Sequence, residues 1–80
     1  MSAATDSNTS TIYVELLDEG TFVLRPTMGE AVSERTFKLL PTSDYDPDLE
    51  TWRFKPGTIV ECDWEKHDGE RLLVAKSQVT

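Results

Sequence analysis

The sequence predicts a single all-β, mainly antiparallel domain, a small β-barrel of five or six short strands. Apolar residues alternate with polar ones at a period of two in several short runs, as in half-buried strands. Turn residues, chiefly Gly, Pro and Asp, separate these runs at close intervals, which is typical of small barrels and sandwiches. A chain of 80 residues has room for one such domain with a modest core.

The first two strands are predicted in the runs TIYVELL and TFVLRP, on either side of Asp18-Glu19-Gly20. These three residues fit a hairpin loop whose last position is left-handed and therefore usually Gly. Such a loop pairs Leu16 with Phe22 and Val14 with Leu24. All four apolar side chains then lie on the core face.

The middle of the chain allows two interpretations. We predict that the second strand continues to about Val32 and that a turn at Ser33-Glu34 leads into a third strand, Arg35–Leu40. The alternative is an α+β fold with one short helix near residues 28–39, where some apolar positions have helical spacing.

The second half contains the longest loop and three strands. The loop covers residues 41–51 and leads into a short strand, WRF, and a Lys55-Pro56-Gly57 turn. The runs TIVECDWEK and ERLLVAK form the last two strands. The predicted domain therefore covers residues 11–77, with a disordered N-terminal tail at residues 1–10 and a short C-terminal tail at residues 78–80.

The hairpin between the last two strands again allows two turns. A three-residue loop, His67-Asp68-Gly69, pairs Trp64 with Leu72 and buries both; we prefer it because it gives an unbroken apolar face. On this register Cys62 faces Val74 on the core side. The alternative two-residue Asp68-Gly69 turn pairs Trp64 with Leu73 and leaves Leu72 outside.

The same hairpin holds a predicted ion pair and a possible catalytic pair. The three-residue loop places Glu65 opposite Arg71, and we predict a cross-strand ion pair there. Cys62 and His67 lie five residues apart on one strand, or roughly 16 Å at the rise of an extended chain. A nucleophile and its base must lie within about 3 Å of each other. We therefore predict no catalytic residues and no enzyme activity.

The long loop carries four acidic residues and two flanking aromatic residues. Its acidic spacing is like the start of a calcium-binding loop, but Leu49 and Lys55 stand where Gly and Glu are needed, so we predict no metal and no cofactor. Exposed aromatic residues among charges are typical of protein-binding loops. We expect Trp52 to cover one end of the barrel, while Tyr45 fits either role. The candidate partner-binding residues are Asp44, Tyr45, Asp46, Asp48 and Trp52.

Composition limits the classes of partner and compartment. Fifteen acidic against eight basic residues give a net charge of −7, and the basic residues are scattered, which argues against nucleic-acid binding. There is no signal-peptide pattern and no apolar run of membrane-spanning length, so no membrane is expected. A single cysteine is consistent with a reducing, cytoplasmic setting.

One segment resembles known sequences. Phe54, Gly57 and Val60 match the F-x-x-G-x-x-V pattern with which SH3-like barrels enter a strand. The longer W-x-F-x-P-G-x-x-V-x-C motif of residues 52–62, together with YVELLDEGT and Arg25-Pro26, is similar to a family of small uncharacterised bacterial proteins. The resemblance covers most of residues 12–76 and implies an SH3-like small barrel. It assigns no functional residue, because the family has no established activity.

The sequence therefore favours a non-enzymatic, acidic protein-interaction or accessory module, a monomer or weak homodimer, that binds a protein partner. One alternative is an inhibitor or immunity-type protein whose acidic surface blocks a basic site. The other is a structural subunit of an oligomer, with an apolar patch formed by Leu17, Val23, Leu73 and Ala75.

Overall fold

The computed structural model describes residues 8–79 and shows an all-β fold. Its six strands are β1 (Thr9–Leu17), β2 (Val23–Ala31), β3 (Thr36–Leu39), β4 (Thr51–Trp52), β5 (Ile59–His67) and β6 (Glu70–Gln78). The region that allowed a helix near residues 28–39 forms the end of β2 and the whole of β3. The all-β prediction is confirmed and the α+β alternative is wrong.

The strands form one mostly antiparallel sheet that closes on itself. Its order is β2-β3-β5-β6-β1-β4, and β1 also pairs with β2, so that five strands form a closed cycle with β4 at one side. β1 runs parallel to β6, and Tyr13 with Val74 is the one partner pair between them in residues 8–79. A chain of five strands joined by antiparallel pairings necessarily closes with a parallel pair, because its first and fifth strands point the same way.

The predicted domain limits need small changes. Most of the predicted N-terminal tail, residues 1–7, lies outside the described residues, as does Thr80. Thr9 and Ser10 belong to β1, and Gln78 is the last residue of β6.

The first hairpin has a different register from the one predicted. Leu16 pairs with Val23 and Val14 with Arg25, one residue away from the expected partners Phe22 and Leu24. Residues 17–22 lie between the last partners, so the connection is longer than a three-residue turn, and Asp18 and Gly20 within it have positive φ. Because side chains alternate between faces, the one-residue shift turns Phe22 away from the core. The Phe22 side chain is 60% exposed to solvent.

The last hairpin uses the two-residue turn. Asp68 and Gly69 have φ values of 52° and 86°, as in a type I′ turn, and His67 pairs directly with Glu70. Trp64 consequently pairs with Leu73 and Cys62 with Ala75, so the preferred three-residue loop is wrong. The type I′ turn is favoured over the three-residue loop because its backbone twist matches that of the two strands it joins.

The core lies inside the closed sheet. Its buried apolar residues come from five strands: Ile12, Val14, Leu16, Phe37, Leu39, Trp52, Val60, Cys62 and Ala75. Ala75 and the partly buried Val23 and Leu73 pack in or against this cluster. Ala75 is buried and Leu17 is the one exposed member of the set Leu17, Val23, Leu73 and Ala75, so the contiguous apolar patch expected from these residues does not form.

Gly29 allows β2 to pass close to the core. A methyl group on Gly29 would lie 2.6 Å from Cγ1 of Ile12, inside van der Waals contact. The glycine therefore brings the backbone of β2 against the Ile12 side chain.

Candidate partner-binding surfaces

The aromatic residues of the predicted binding loop serve mainly to close one end of the barrel. Trp52 is 3% exposed, and its Nε1 donates a hydrogen bond to Oε1 of Glu50 at 2.9 Å. Tyr45 is half-buried and packs edge-on against Trp52, with 4.9 Å between ring centroids. Trp52 is thus a core residue, as expected, and does not belong to an exposed platform. Tyr45 offers only part of its ring.

The acidic residues of that loop are held by Arg25 of β2. Nη2 of Arg25 lies 2.6 Å from Oδ1 of Asp44 and 3.4 Å from the Thr42 hydroxyl, and its Nε lies 3.5 Å from Oε1 of Glu50. A hydrogen bond from Thr42 and the charge of Arg25 lower the pKa of Asp44. The single positive charge of Arg25 therefore offsets one of the four negative charges of the loop and is shared between Asp44 and Glu50.

The remaining carboxylates of the loop shape its backbone. Oδ1 of Asp46 accepts a hydrogen bond from the main-chain N–H of Asp48 at 2.9 Å, which is an Asx turn. Within residues 8–79 no three His, Cys, Asp or Glu side chains converge as a metal would require. Around the half-buried Tyr45, the exposed residues of the loop are Ser43, Asp44, Pro47, Asp48 and Leu49.

Cys62 and His67 lie in separate environments. Cys62 is 1% exposed in the core, and burial, with a smaller effect from Glu61, raises the pKa of its thiol to about 11. His67 stacks on Phe22, with 5.7 Å between ring centroids, and its Nε2 lies 2.8 Å from Oε1 of Glu65.

The predicted ion pair between Glu65 and Arg71 does not form. Glu65 instead binds Lys76 and His67, and hydrogen bonds from these two, Lys76 first, lower its pKa. The two-residue turn puts Glu65 opposite Leu72, which leaves Arg71 on the other face of the hairpin.

The structure brings together an exposed groove that the sequence interpretation missed. We call it the Trp64 groove; its volume is about 360 Å³. Trp64 is 57% exposed there, and the guanidinium of Arg71 lies 5.3 Å from the centroid of its indole ring. The groove is lined by Ser10, Thr11, Tyr13, Trp64, Arg71, Leu72 and Leu73.

The groove lies to one side of the one partner pair that β1 and β6 share in the described structure, Tyr13 with Val74. The edge of β1 that does not pair with β2 has partners from Tyr13 onward: Val74 pairs with Tyr13, and β4 pairs with Leu16 and Leu17. On the other side of Tyr13, Ser10 to Ile12 have strand partners only on β2 among the described residues. The gap between the two strand edges is the Trp64 groove.

A second concave surface lies across Thr11 from the first. Its volume is also about 360 Å³, and it is lined by Thr11, Pro26, Thr27, Met28, Pro41, Thr42 and Ser43. Two of its hydroxyls are engaged within the protein: Thr27 donates to the carbonyl of Leu40, and Thr42 accepts from Arg25. With few polar groups free to orient a ligand, this surface is the weaker candidate.

One feature of the sequence, the turn between β5 and β6, could have indicated the Trp64 groove. The Asp68-Gly69 pair is the strongest two-residue hairpin signal, and it directs Trp64 to Leu73. β5 has nine residues whereas β3, which pairs with its first residues, has four, so β5 extends past β3. Trp64 lies on that extension, where the barrel does not cover it.

The chain matches no protein-family model, no curated protein and no solved structure. In the part of the chain that the structure describes, no helix is long and apolar enough to cross a membrane.

Proposed function

We propose that this protein is a non-enzymatic, acidic protein-interaction module that contacts its partner through the Trp64 groove. The observation that carries this proposal is the presence of Trp64, Tyr13 and Arg71 in one exposed concave surface. Trp, Tyr and Arg are the residue types most enriched at the energetic centres of protein interfaces.

The cost of leaving Trp64 exposed also supports a binding role. An indole ring presents a large apolar area to water, and its burial by a partner is favourable at about 25 cal/mol per Å². Arg71 stacks over the ring and lowers its side-chain freedom, so less entropy is lost when a partner binds.

The proposal extends to family and compartment. We propose that the chain is a member of the small bacterial family with the W-x-F-x-P-G-x-x-V-x-C motif. The motif has structural roles that support this: Trp52, Val60 and Cys62 are buried, and Gly57 has the positive φ of a turn. We also propose a cytoplasmic setting, in keeping with the free cysteine in the core.

Affinity capture from a lysate of the source organism tests the proposed function. The baits are the natural protein, Trp64→Ala, and Leu49→Ala as a matched control that removes another exposed apolar side chain. We expect a partner that the natural protein and Leu49→Ala both retain and that Trp64→Ala retains at least about tenfold less well. Equal capture by all three baits would contradict the proposal.

Repeating the capture at low and high salt separates this function from an inhibitor or immunity-type role. Contact through an apolar, aromatic groove is expected to survive high salt. Capture that is lost at high salt and is indifferent to Trp64→Ala would favour a partner held by the acidic surface.

A further inference from the structure

We propose that the Trp64 groove binds an extended segment of a partner protein as an added strand on the edge of β6, and that a carboxylate of this segment lies against Lys66 and Arg71. This inference rests on the proposed function and specifies the chemistry of its partner. It is carried by the pairing of the strands, the side chains that line the groove, and the distribution of ion pairs.

The pairing leaves part of the β6 edge without strand partners. Arg71, Leu72 and Leu73 have strand partners on β5 only, among residues 8–79. Across the groove, the facing edge of β1 at Ser10 to Ile12 is likewise without a strand partner on that side. Open strand edges of this kind accept extended peptides through main-chain hydrogen bonds.

Side chains from both faces of the sheet line the groove. Alternation along β5 and β6 puts Trp64, Arg71 and Leu73 on the face that continues the core side. Leu72 belongs to the opposite face, together with Tyr13 of β1. A gap with side chains from both faces of the sheet matches the two-sided side-chain pattern of an inserted strand.

Two basic residues face each other across the hairpin at this site. Lys66 and Arg71 are direct cross-strand partners, and like charges in that position destabilise a hairpin. Of the six other basic residues, Arg25, Arg35, Arg53 and Lys76 have carboxylate partners in the described structure. Lys38 and Lys55 form no ion pair there, but neither has a basic residue as its cross-strand partner. Among the described residues neither Lys66 nor Arg71 forms an ion pair, so the site lacks the carboxylate that would relieve their repulsion.

The register of the hairpin specifies the spacing of the ligand. Leu73 and Arg71 are two residues apart on one face, so an added strand places alternate residues beside them. The segment is therefore expected to carry an apolar residue and an acidic residue separated by one position. Its direction decides which comes first.

Synthetic peptides test the inference. The probes are about nine residues long, as are these strands, with Leu-Thr-Glu or Glu-Thr-Leu at the centre of a threonine and valine background. Controls replace the Glu with Lys, or methylate alternate backbone nitrogens so that donors on one edge are removed. Binding is followed by backbone amide shifts in NMR and by the fluorescence of Trp64.

We expect amide shifts confined to residues 70–73 of β6 and 10–12 of β1. Binding should weaken about tenfold or more with the Lys peptide, with the N-methylated peptide and with Arg71→Gln. Lys55→Gln, which removes an exposed charge outside the groove, should leave binding unchanged. Circular dichroism of each variant checks that the fold is retained.

Three results would overturn the inference. If Glu and Lys peptides bind the groove equally, or if N-methylation has no effect, the groove binds partners in another way and the proposed function stands. If no peptide binds but Trp64→Ala abolishes partner capture, the added strand is wrong while the proposed function again stands. If sedimentation shows a dimer that Trp64→Ala dissociates, the occupant is a second copy of this chain.

Discussion

Arg25 on β2 and Asp44 in the long loop form an ion pair, with 2.6 Å between Nη2 and Oδ1. The residues are 19 positions apart in sequence, so their contact fixes the loop against the sheet. Arg25 is also within 3.5 Å of Glu50 near the other end of the loop. One guanidinium thus holds both ends of the segment that covers Trp52.

We expect this ion pair to make stability depend on acid pH. Thr42 and Arg25 lower the folded-state pKa of Asp44 from an ordinary value near 3.8. The contribution of the ionised Asp44 to folding stability is therefore present above pH 3.8 and is lost as pH falls through the lower folded-state pKa. In urea unfolding, Asp44→Asn should be less stable than the natural protein at pH 7, and the difference should shrink below pH 3.8.

The matched control is Asp48→Asn, an exposed carboxylate of the same loop without an ion pair in the described structure. Its stability should follow that of the natural protein at both pH values. If the difference in stability between Asp44→Asn and the natural protein stays constant down to strongly acid pH, the negative charge of Asp44 does not contribute to stability.

Glu50 is expected to be more important for stability than its place in an acidic loop suggests. It accepts the hydrogen bond from Nε1 of the buried Trp52, and its Oε1 lies 3.5 Å from Nε of Arg25, a buried nitrogen without a hydrogen bond in the described structure. Glu50→Ala should lower the free energy of unfolding by about 1–3 kcal/mol.

Glu50→Gln separates the two effects, because the amide oxygen still accepts from Trp52 while the negative charge is gone. Its loss of stability should be smaller than that of Glu50→Ala in the same denaturant series. If the two variants unfold at the same urea concentration, the hydrogen bond to Trp52 contributes nothing.

Gly29 is expected to tolerate no larger residue. Because an added methyl group would meet Cγ1 of Ile12 at 2.6 Å, Gly29→Ala must displace either β2 or the Ile12 side chain. Overpacking of this kind destabilises by about 1–3 kcal/mol, which thermal or urea unfolding will detect. Glu30→Ala, at the next and exposed position of β2, should stay within about 0.5 kcal/mol of the natural protein.

The Cys62 thiol is expected to be inert while the protein is folded. It is almost fully buried and its pKa is raised to about 11, so a thiol reagent at pH 8 should react only as the chain unfolds in urea. Rapid labelling of the folded protein at pH 8 would contradict the burial of this residue.

The same pKa shift predicts a stability change at alkaline pH. A thiol whose folded pKa exceeds its unfolded value near 9 contributes stability that is present below pH 9 and is lost as pH rises towards 11. The stability advantage of the natural protein over Cys62→Ala should therefore narrow across that range. Comparing the two at each pH cancels the titration of the other groups.

Strand positions were predictable from sequence, but registers were not. Alternation marks a strand wherever one face is buried, and it located the ends of β2 and β3 within a few residues. Register depends on loop length, and a change of one residue reverses every side chain. For Trp64, the choice between a three-residue loop and the Asp68-Gly69 turn decided whether its partner was Leu72 or Leu73.

The candidate site was less predictable for a different reason. Burial of Trp52 followed from the need of a small core for aromatic area, and the structure confirms it. The Trp64 groove depends on how β1 and β6 lie beside each other, and these strands are distant in sequence and share one partner pair, Tyr13 with Val74, among the described residues. No local pattern records such a long-range parallel contact.

The parallel course of β1 and β6 also fixes where attachments leave the molecule. β1 starts beside the Trp64 groove, because Ser10 lines it. β6 runs away from the groove and ends at Gln78, which pairs with Val60 at the start of β5. A strand of nine residues is about 30 Å long, so the two exits are separated by most of the molecule. A bulky group attached to β1 at Thr9 or Ser10 would crowd the groove and mask binding, whereas one attached at Gln78 would leave it open.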